Sequence, residues 1–307
     1  MMQARENKDF KVVGYYPCWV PEGLEKVDFD VVTHVYYAFV IPTEQGTLLP
    51  MRNPDAAKKL IASAHAKGAK ALVVVGGWDY LGVRLEKTFA DATDTPEKRT
   101  HLADEIMEIC LQYGFDGVDI DWEYPRLGNP SAIQYELLMM DLGQRLHSRD
   151  LLLTCAVHAG ALPEGGILPD AAAQSDQVLG ICDWINIMAY DGGDGKDHSP
   201  FSYAVACADY WHKDRGLPRE KVVLGVPFYA RSSWASYDSI LSRDPEAWSR
   251  DVTTCDGSES YYNGVATMEQ KAAYAKENLG GVMIWELTQD TSDREKSLLQ
   301  AIGRAIR

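Results

Sequence analysis

Short apolar runs and longer amphipathic stretches alternate along all 307 residues of this chain, and that rhythm restricts the possible fold more than any other feature. The runs lie at 11–16 (KVVGYY), 34–40 (HVYYAFV), 69–77 (AKALVVVGG), 115–123 (FDGVDIDWE), 151–157 (LLLTCAV), 184–190 (WINIMAY), 221–229 (KVVLGVPFY) and 280–286 (GGVMIWE). Several are almost unbroken in Val, Ile, Leu or aromatic residues, as strands buried on both faces of a parallel sheet require. Helix punctuation falls between them. Asn53-Pro54 precedes 55–67, Thr95-Pro96-Glu97 opens a stretch stopped by Gly114, Asn129-Pro130 precedes 131–148, and 267–277 ends near Gly280. Eight strand-plus-helix units predict an α/β protein built as one (β/α)8 TIM barrel. A doubly wound sheet would carry fewer strands and often a GxGxxG turn, which is missing. Segment 232–266 breaks the rhythm; it reads as an elaborated loop after strand seven, too short for a large α+β insertion domain, so 1–307 is read as a single domain.

Charge narrows the partners. Asp+Glu outnumber Lys+Arg by 45 to 30, a net charge of −15, which repels phosphate backbones and anionic lipid and argues against nucleic acid. No run of about 18 uncharged apolar residues is available to span a membrane. The first ten residues, MMQARENKDF, are polar and do not form the apolar region of a signal peptide. Six cysteines are scattered without a CxxC or Cys/His cluster, so a structural zinc is not expected, and Cys155 inside LLLTCAV reads as a buried thiol.

Chemistry enters at Asp116-Gly117-Val118-Asp119-Ile120-Asp121-Trp122-Glu123-Tyr124-Pro125. Strand side chains alternate faces, so Asp119, Asp121 and Glu123 point one way while Val118, Ile120 and Trp122 point the other. Acids two apart lie roughly 6–7 Å from each other. Three of them on an inner strand cannot all be ionised; one holds a proton or the group holds a cation. The row could be a solvated edge, a D-x-D-x-E cation site, or an acid–base device. In the last reading Glu123, nearest the C-terminal mouth, is a general acid of raised pKa, and Asp121 and Asp119 share a proton behind it.

The D-x-x-D-x-D-x-E pattern, with Trp122 before the Glu and Tyr124-Pro125 after it, resembles the fourth-strand signature of glycoside hydrolase family 18, the chitinases. Met188-Ala189-Tyr190-Asp191 resembles the family's sixth-strand M-x-Y-D, and Tyr229-Ala230-Arg231 its seventh-strand Y-x-R. Gly281-Val282-Met283-Ile284-Trp285 is similar to the eighth strand, Gly14-Tyr15 and Trp19 to the first, and Tyr37-Ala38-Phe39 to the second. The resemblance implies a retaining mechanism without an enzyme nucleophile, an exception to the two-carboxylate scheme. Glu123 would be acid and base, and the substrate's own 2-acetamido carbonyl the nucleophile. Asp121 would orient the acetamido group, Asp119 share its proton, Tyr190 hydrogen-bond the acetamido oxygen, and Asp191 set the Glu123 pKa. Trp285 would floor the −1 sugar site over Met188 and Met283, with further contacts from Tyr15, Trp19, Phe39, Trp78, Tyr229 and Arg231. The implied substrate is chitin or N-acetylglucosamine oligosaccharides, with no metal or other cofactor. Family habit suggests a secreted protein, the polar N-terminal stretch leaves a cytoplasmic one as the alternative, and the chain is read as a monomer. An endo-β-N-acetylglucosaminidase acting on N-glycan or peptidoglycan is the alternative; a chitin-binding lectin would lack Glu123.

Two departures from the family pattern shape the expectations. The third-strand S-x-G-G reads Val74-Val75-Gly76-Gly77, so Tyr15 alone is expected to hydrogen-bond the inner Asp. No Gly-Lys-Ser/Thr follows the glycine pair, which excludes a phosphate loop. The short 232–266 stretch implies a shallow, open groove suited to endo or short-oligomer cleavage. His158, at the end of strand five, reads either as a substrate contact or as a structural histidine.

Overall fold

The computed structural model describes residues 10–255 and 257–307, except for the side chain of Cys255. The polar N-terminal stretch 1–9 thus lies outside the described residues, as does Asp256. Eight strands form the barrel: β1 Lys11–Pro17, β2 His34–Val40, β3 Lys70–Gly77, β4 Gly117–Trp122, β5 Leu152–Val157, β6 Trp184–Ile187, β7 Val222–Pro227 and β8 Gly281–Trp285. Each pairs in parallel with its sequence neighbours, and β1 pairs with β8 to close the ring. This is the expected (β/α)8 architecture, and among the described residues no separate insertion domain accompanies it.

The helices begin and end where local chemistry directs. Thr95 caps α1 (Pro96–Tyr113) by accepting from the Lys98 amide, and Gly114 leaves it in the left-handed region at φ 77°. Asn129 caps α2 (Pro130–His147) in the same way, accepting from Ser131. Tyr135, Leu138, Met139, Leu142 and Leu146 of α2 are buried at helical spacing, giving one apolar face against the sheet. Val118, Ile120 and Trp122 meet that jacket from β4, and Trp122 stacks on Phe89 at 4.8 Å and 10°. Among the described residues, no helix is long and apolar enough to cross a membrane.

The strands stop sooner than the apolar runs suggest. Strand β6 ends at Ile187 and β7 at Pro227, which leaves Met188, Tyr190, Tyr229 and Arg231 on the turns just past the strands. Glu123 likewise is the first residue beyond β4. Paired backbone ends here because the chain swings outward from the mouth into the βα loops. Segment 232–266 is more ordered than a loop: it holds helix Tyr237–Arg243 and an antiparallel hairpin of Val252–Cys255 with Ser258–Tyr261, and the next long helix already starts at Val265. A second small hairpin, Asp79–Tyr80 with Val83–Arg84, follows β3. The five cysteines with described side chains are buried and free, and Cys155 faces Cys182 at 3.7 Å between sulfurs.

Candidate active site

A barrel interior packed only with aliphatic side chains would be inert. This one carries Asp119 and Asp121 among Tyr15, Tyr36, Val74, Tyr190 and Met283. Backbone spacing lets β3 come close to the row. Gly76 pairs with Asp121 at φ 122°, and a Cβ there would lie 2.1 Å from the Asp121 carbonyl oxygen, so no other residue fits. The glycine pair is therefore a close-approach device.

Asp119 lies deepest and is fully buried. Tyr15 donates to its Oδ2 at 2.7 Å, while Thr154 and Asn186 donate to Oδ1 at 2.5 and 3.1 Å. This corrects the expectation that Tyr15 acts alone. Thr154 pairs in register with Asp119 on the adjacent strand, and Asn186 enters from β6, so two neighbouring strands supply what Val74 cannot. Tyr36 shares a hydrogen bond with Thr154 at 3.0 Å, extending the network. Burial raises Asp119 to about 6, and the three donors oppose the rise.

Asp121 is pushed much further up, by burial first and then by the charges of Glu123 and Asp119. Its Oδ1 is buried and has no partner among the described protein groups. Both carboxyls of the buried pair therefore hold a proton more readily than an ordinary aspartate does, Asp121 against the charges of both its acidic neighbours. Glu123 is raised to about 7 by burial, opposed by Tyr124 and Arg84 and reinforced by the Asp191 carboxylate. A carboxyl poised there can both give and accept a proton at neutral pH.

Every expected site residue except Asp119 lines one cleft of about 900 Å³ at the mouth. Asp119 sits behind it. Trp285 packs edge-on to Tyr15 at 5.6 Å and lies at 28° to Phe39, also 5.6 Å away, and Phe39 continues to Trp19 at 6.2 Å. Tyr190 points its hydroxyl at the Met283 sulfur, 3.9 Å away, and Gly225 leaves room for both side chains. Asp191 adopts φ 56° and lies 3.1 Å from both His198 Nδ1 and an Arg231 nitrogen. Burial pushes the Asp191 carboxyl up, yet His198, Tyr229 and Arg231 outweigh it and hold the group below its ordinary value. His198 is itself buried and donates from Nε2 to the Tyr229 carbonyl at 3.2 Å. Trp78 stands half exposed with the Arg84 guanidinium carbon 3.0 Å from its ring centroid. His158 lines the cleft while stacked on Tyr124 at 3.8 Å, and burial lowers it to about 4, so it is neutral at pH 7.

Thr154, Asn186, His198 and Arg84 escaped the sequence reading. The first two carried a usable signal, a lone polar residue at an inward position of an otherwise apolar strand. The other two had none, because their contacts depend on loops that converge only in three dimensions.

The fold and the row define a class: a (β/α)8 barrel with a carboxyl raised to about 7 at its C-terminal mouth, backed by two buried aspartates. Within that class, the sequence model for glycosyl hydrolases family 18 matches residues 11–290, and the chain belongs to that family. It is 26% identical, over 97% of its length, to the probable chitinase 10 of Drosophila melanogaster, and 25% identical over 97% to chitinase A1 of Niallia circulans. It spans 16% of the first and 59% of the second. Among solved structures, the family 18 chitinase ChiB from the chitin utilization locus of Flavobacterium johnsoniae superposes with TM-score 0.82 at 28% identity, covering 98% of this chain and 94% of that one.

Proposed function

We propose that this chain hydrolyses β-1,4 linkages between N-acetylglucosamine units, with Glu123 as general acid and base and the substrate's acetamido group as nucleophile. The observation that carries the reading is the division of labour in the carboxylate row. Burial raises Glu123 at the cleft to about 7, while behind it Asp119 is held by three hydrogen-bond donors and Asp121 leaves an unpartnered oxygen. Glu123 protonates the glycosidic oxygen; as that bond breaks, the acetamido carbonyl oxygen closes on the anomeric carbon to give an oxazolinium ion. The charge of the Asp119–Asp121 pair faces that cation and stabilises it. The unpartnered Asp121 Oδ1 suits the acetamido N–H, and the Tyr190 hydroxyl suits its oxygen. Glu123, now ionised, then takes a proton from water that attacks the anomeric carbon, which retains configuration. Trp285 offers the pyranose ring a flat apolar floor. The names borne by the relatives point to the same substrate class. One barrel domain, with 232–266 as part of its rim, carries the whole site.

The test is fluorophore release from di- and tri-N-acetylchitooligosaccharide conjugates, with chelator present, by wild type and Glu123→Gln. Wild-type turnover that ignores chelator and falls about 10³-fold in the variant is the expected result. Absence of wild-type turnover on both conjugates, with turnover of an N-glycan core or of peptidoglycan, would move the substrate away from chitin. Loss of turnover on adding chelator would replace the acid–base reading by a metal-dependent one.

A further inference from the structure

The proposed reaction leaves some aromatic side chains of the cleft without a role, and the most exposed of them is an indole. Trp234, in the 232–266 segment, lines the cleft with 62% of its surface exposed. An exposed indole is ordinarily mobile, but this one is fixed. Its plane lies within 1° of the Tyr229 ring, with centroids 5.9 Å apart. The Arg231 guanidinium carbon sits 3.8 Å from the indole centroid. That guanidinium is itself tied to Asp194 at 2.6 and 3.0 Å and to Asp191 at 3.1 Å. The backbone at Trp234 adopts φ 58°, a left-handed conformation that a bulky side chain occupies only at a cost. The chain thus accepts backbone strain and exposed apolar surface to hold a ring still beside Tyr229.

The same construction recurs across the mouth. Trp78 follows β3 and Trp234 follows β7, strands that are diametrically opposed in the eight-membered ring. Each indole carries a guanidinium, and each guanidinium reaches back to the catalytic apparatus: Arg84 donates to the Glu123 carbonyl at 3.2 Å, as Arg231 does to the Asp191 carboxylate. A cation over an indole ring immobilises it at little cost, and an immobilised aromatic binds with less lost entropy than a free one.

We propose that Trp234 is a second sugar-stacking platform, which receives the C–H face of a pyranose unit remote from the cleavage point and makes the enzyme prefer longer oligosaccharides. Arg231 is its positioning residue and the link between that platform and Asp191. This proposal rests on the activity argued above, so its test separates the two. Binding of N-acetylchitohexaose and N-acetylchitobiose is measured by calorimetry in the Glu123→Gln background, with and without Trp234→Ala. The kcat/KM of the active chain is measured for the same two oligomers. Removing the indole lowers hexaose affinity, relative to biose affinity, about tenfold, the equivalent of one stacked ring, and shifts the kcat/KM ratio in the same direction. Trp234→Phe restores most of the ratio and Trp234→Leu does not, because a branched aliphatic keeps bulk without a flat face. An unchanged hexaose-to-biose ratio, or Leu restoring as well as Phe, overturns the platform. Oligomer binding without any turnover by the active chain would instead overturn the proposed activity, leaving the platform to be decided on the affinities. Binding of neither oligomer overturns both.

Discussion

Two cores share the strands of this barrel and are built on opposite principles. Outside, between sheet and helices, β4 presents Val118, Ile120 and Trp122 to Phe89, Ile106, Leu138 and Leu142, and cohesion comes from apolar area removed from water. Inside, the same strand turns Asp119 toward Tyr15, Thr154 and Asn186, where each carboxylate oxygen depends on particular donors. The outer core specifies a fold through pattern and tolerates exchange among residues of similar size. The inner one specifies a proton arrangement, and a single missing hydroxyl changes it.

The largest effect lies at the point where the inner core meets water. Glu123→Gln lowers turnover about 10³-fold, and it also reports on the cost of the buried acid. Because burial raises Glu123 to about 7, its contribution to stability is complete below the ordinary carboxylate range and is lost as pH rises through 7. The amide variant loses no such increment, so its melting temperature gains on wild type between pH 6 and pH 8. A difference that is the same at both values would break the assignment.

Next in size is Thr154→Val, which keeps the shape and removes one donor from Asp119. Losing that donor raises the Asp119 pKa, so the acid limb of kcat, expected near pH 6, moves up by about one unit and kcat at pH 6 falls about fivefold. An unmoved limb would mean that Asp119 does not carry the charge. Val74→Ser runs the other way. It adds a hydroxyl beside Asp119 in register, and because three donors already serve that carboxylate, the limb shifts down by less than about half a unit and the rate changes by less than about threefold. A larger shift would show that the existing donors are poorly placed. The smallest effect on rate belongs to the outer core. Leu142→Ala costs about 2–5 kcal/mol of stability through the cavity it leaves, yet kcat/KM and the acid limb of the folded protein stay where they were. A displaced limb would show that the two cores are not separable.

The same division explains what the sequence disclosed. Outer-core strands and capped helices are local patterns, so 115–123 and the Thr95 and Gly114 signals located elements within a few residues. The acidic row was legible because alternation alone places Asp119, Asp121 and Glu123 on one face. The partners of Asp119 were not, since Tyr15, Thr154 and Asn186 lie 104, 35 and 67 residues away and meet only when the ring closes. Reading LLLTCAV, attention falls on the thiol of Cys155, but that side chain faces the outer core and its neighbour Thr154 faces the acid. Trp234 escaped for a different reason. Its indole is held by Arg231 and Tyr229 across a turn, a geometry with no periodic trace.

Strands β1, β5 and β6 each send one side chain to the same carboxylate on β4. Half the staves of the barrel are thereby roped to one hub. A seam that opens between any of them strands a buried anion short of a donor, and the penalty falls at the centre of the molecule, where aliphatic packing would have forgiven a small breach. The carboxylate is in that sense a closure sensor. A partly opened barrel cannot keep its charge in place, so shape and competence are lost in the same event.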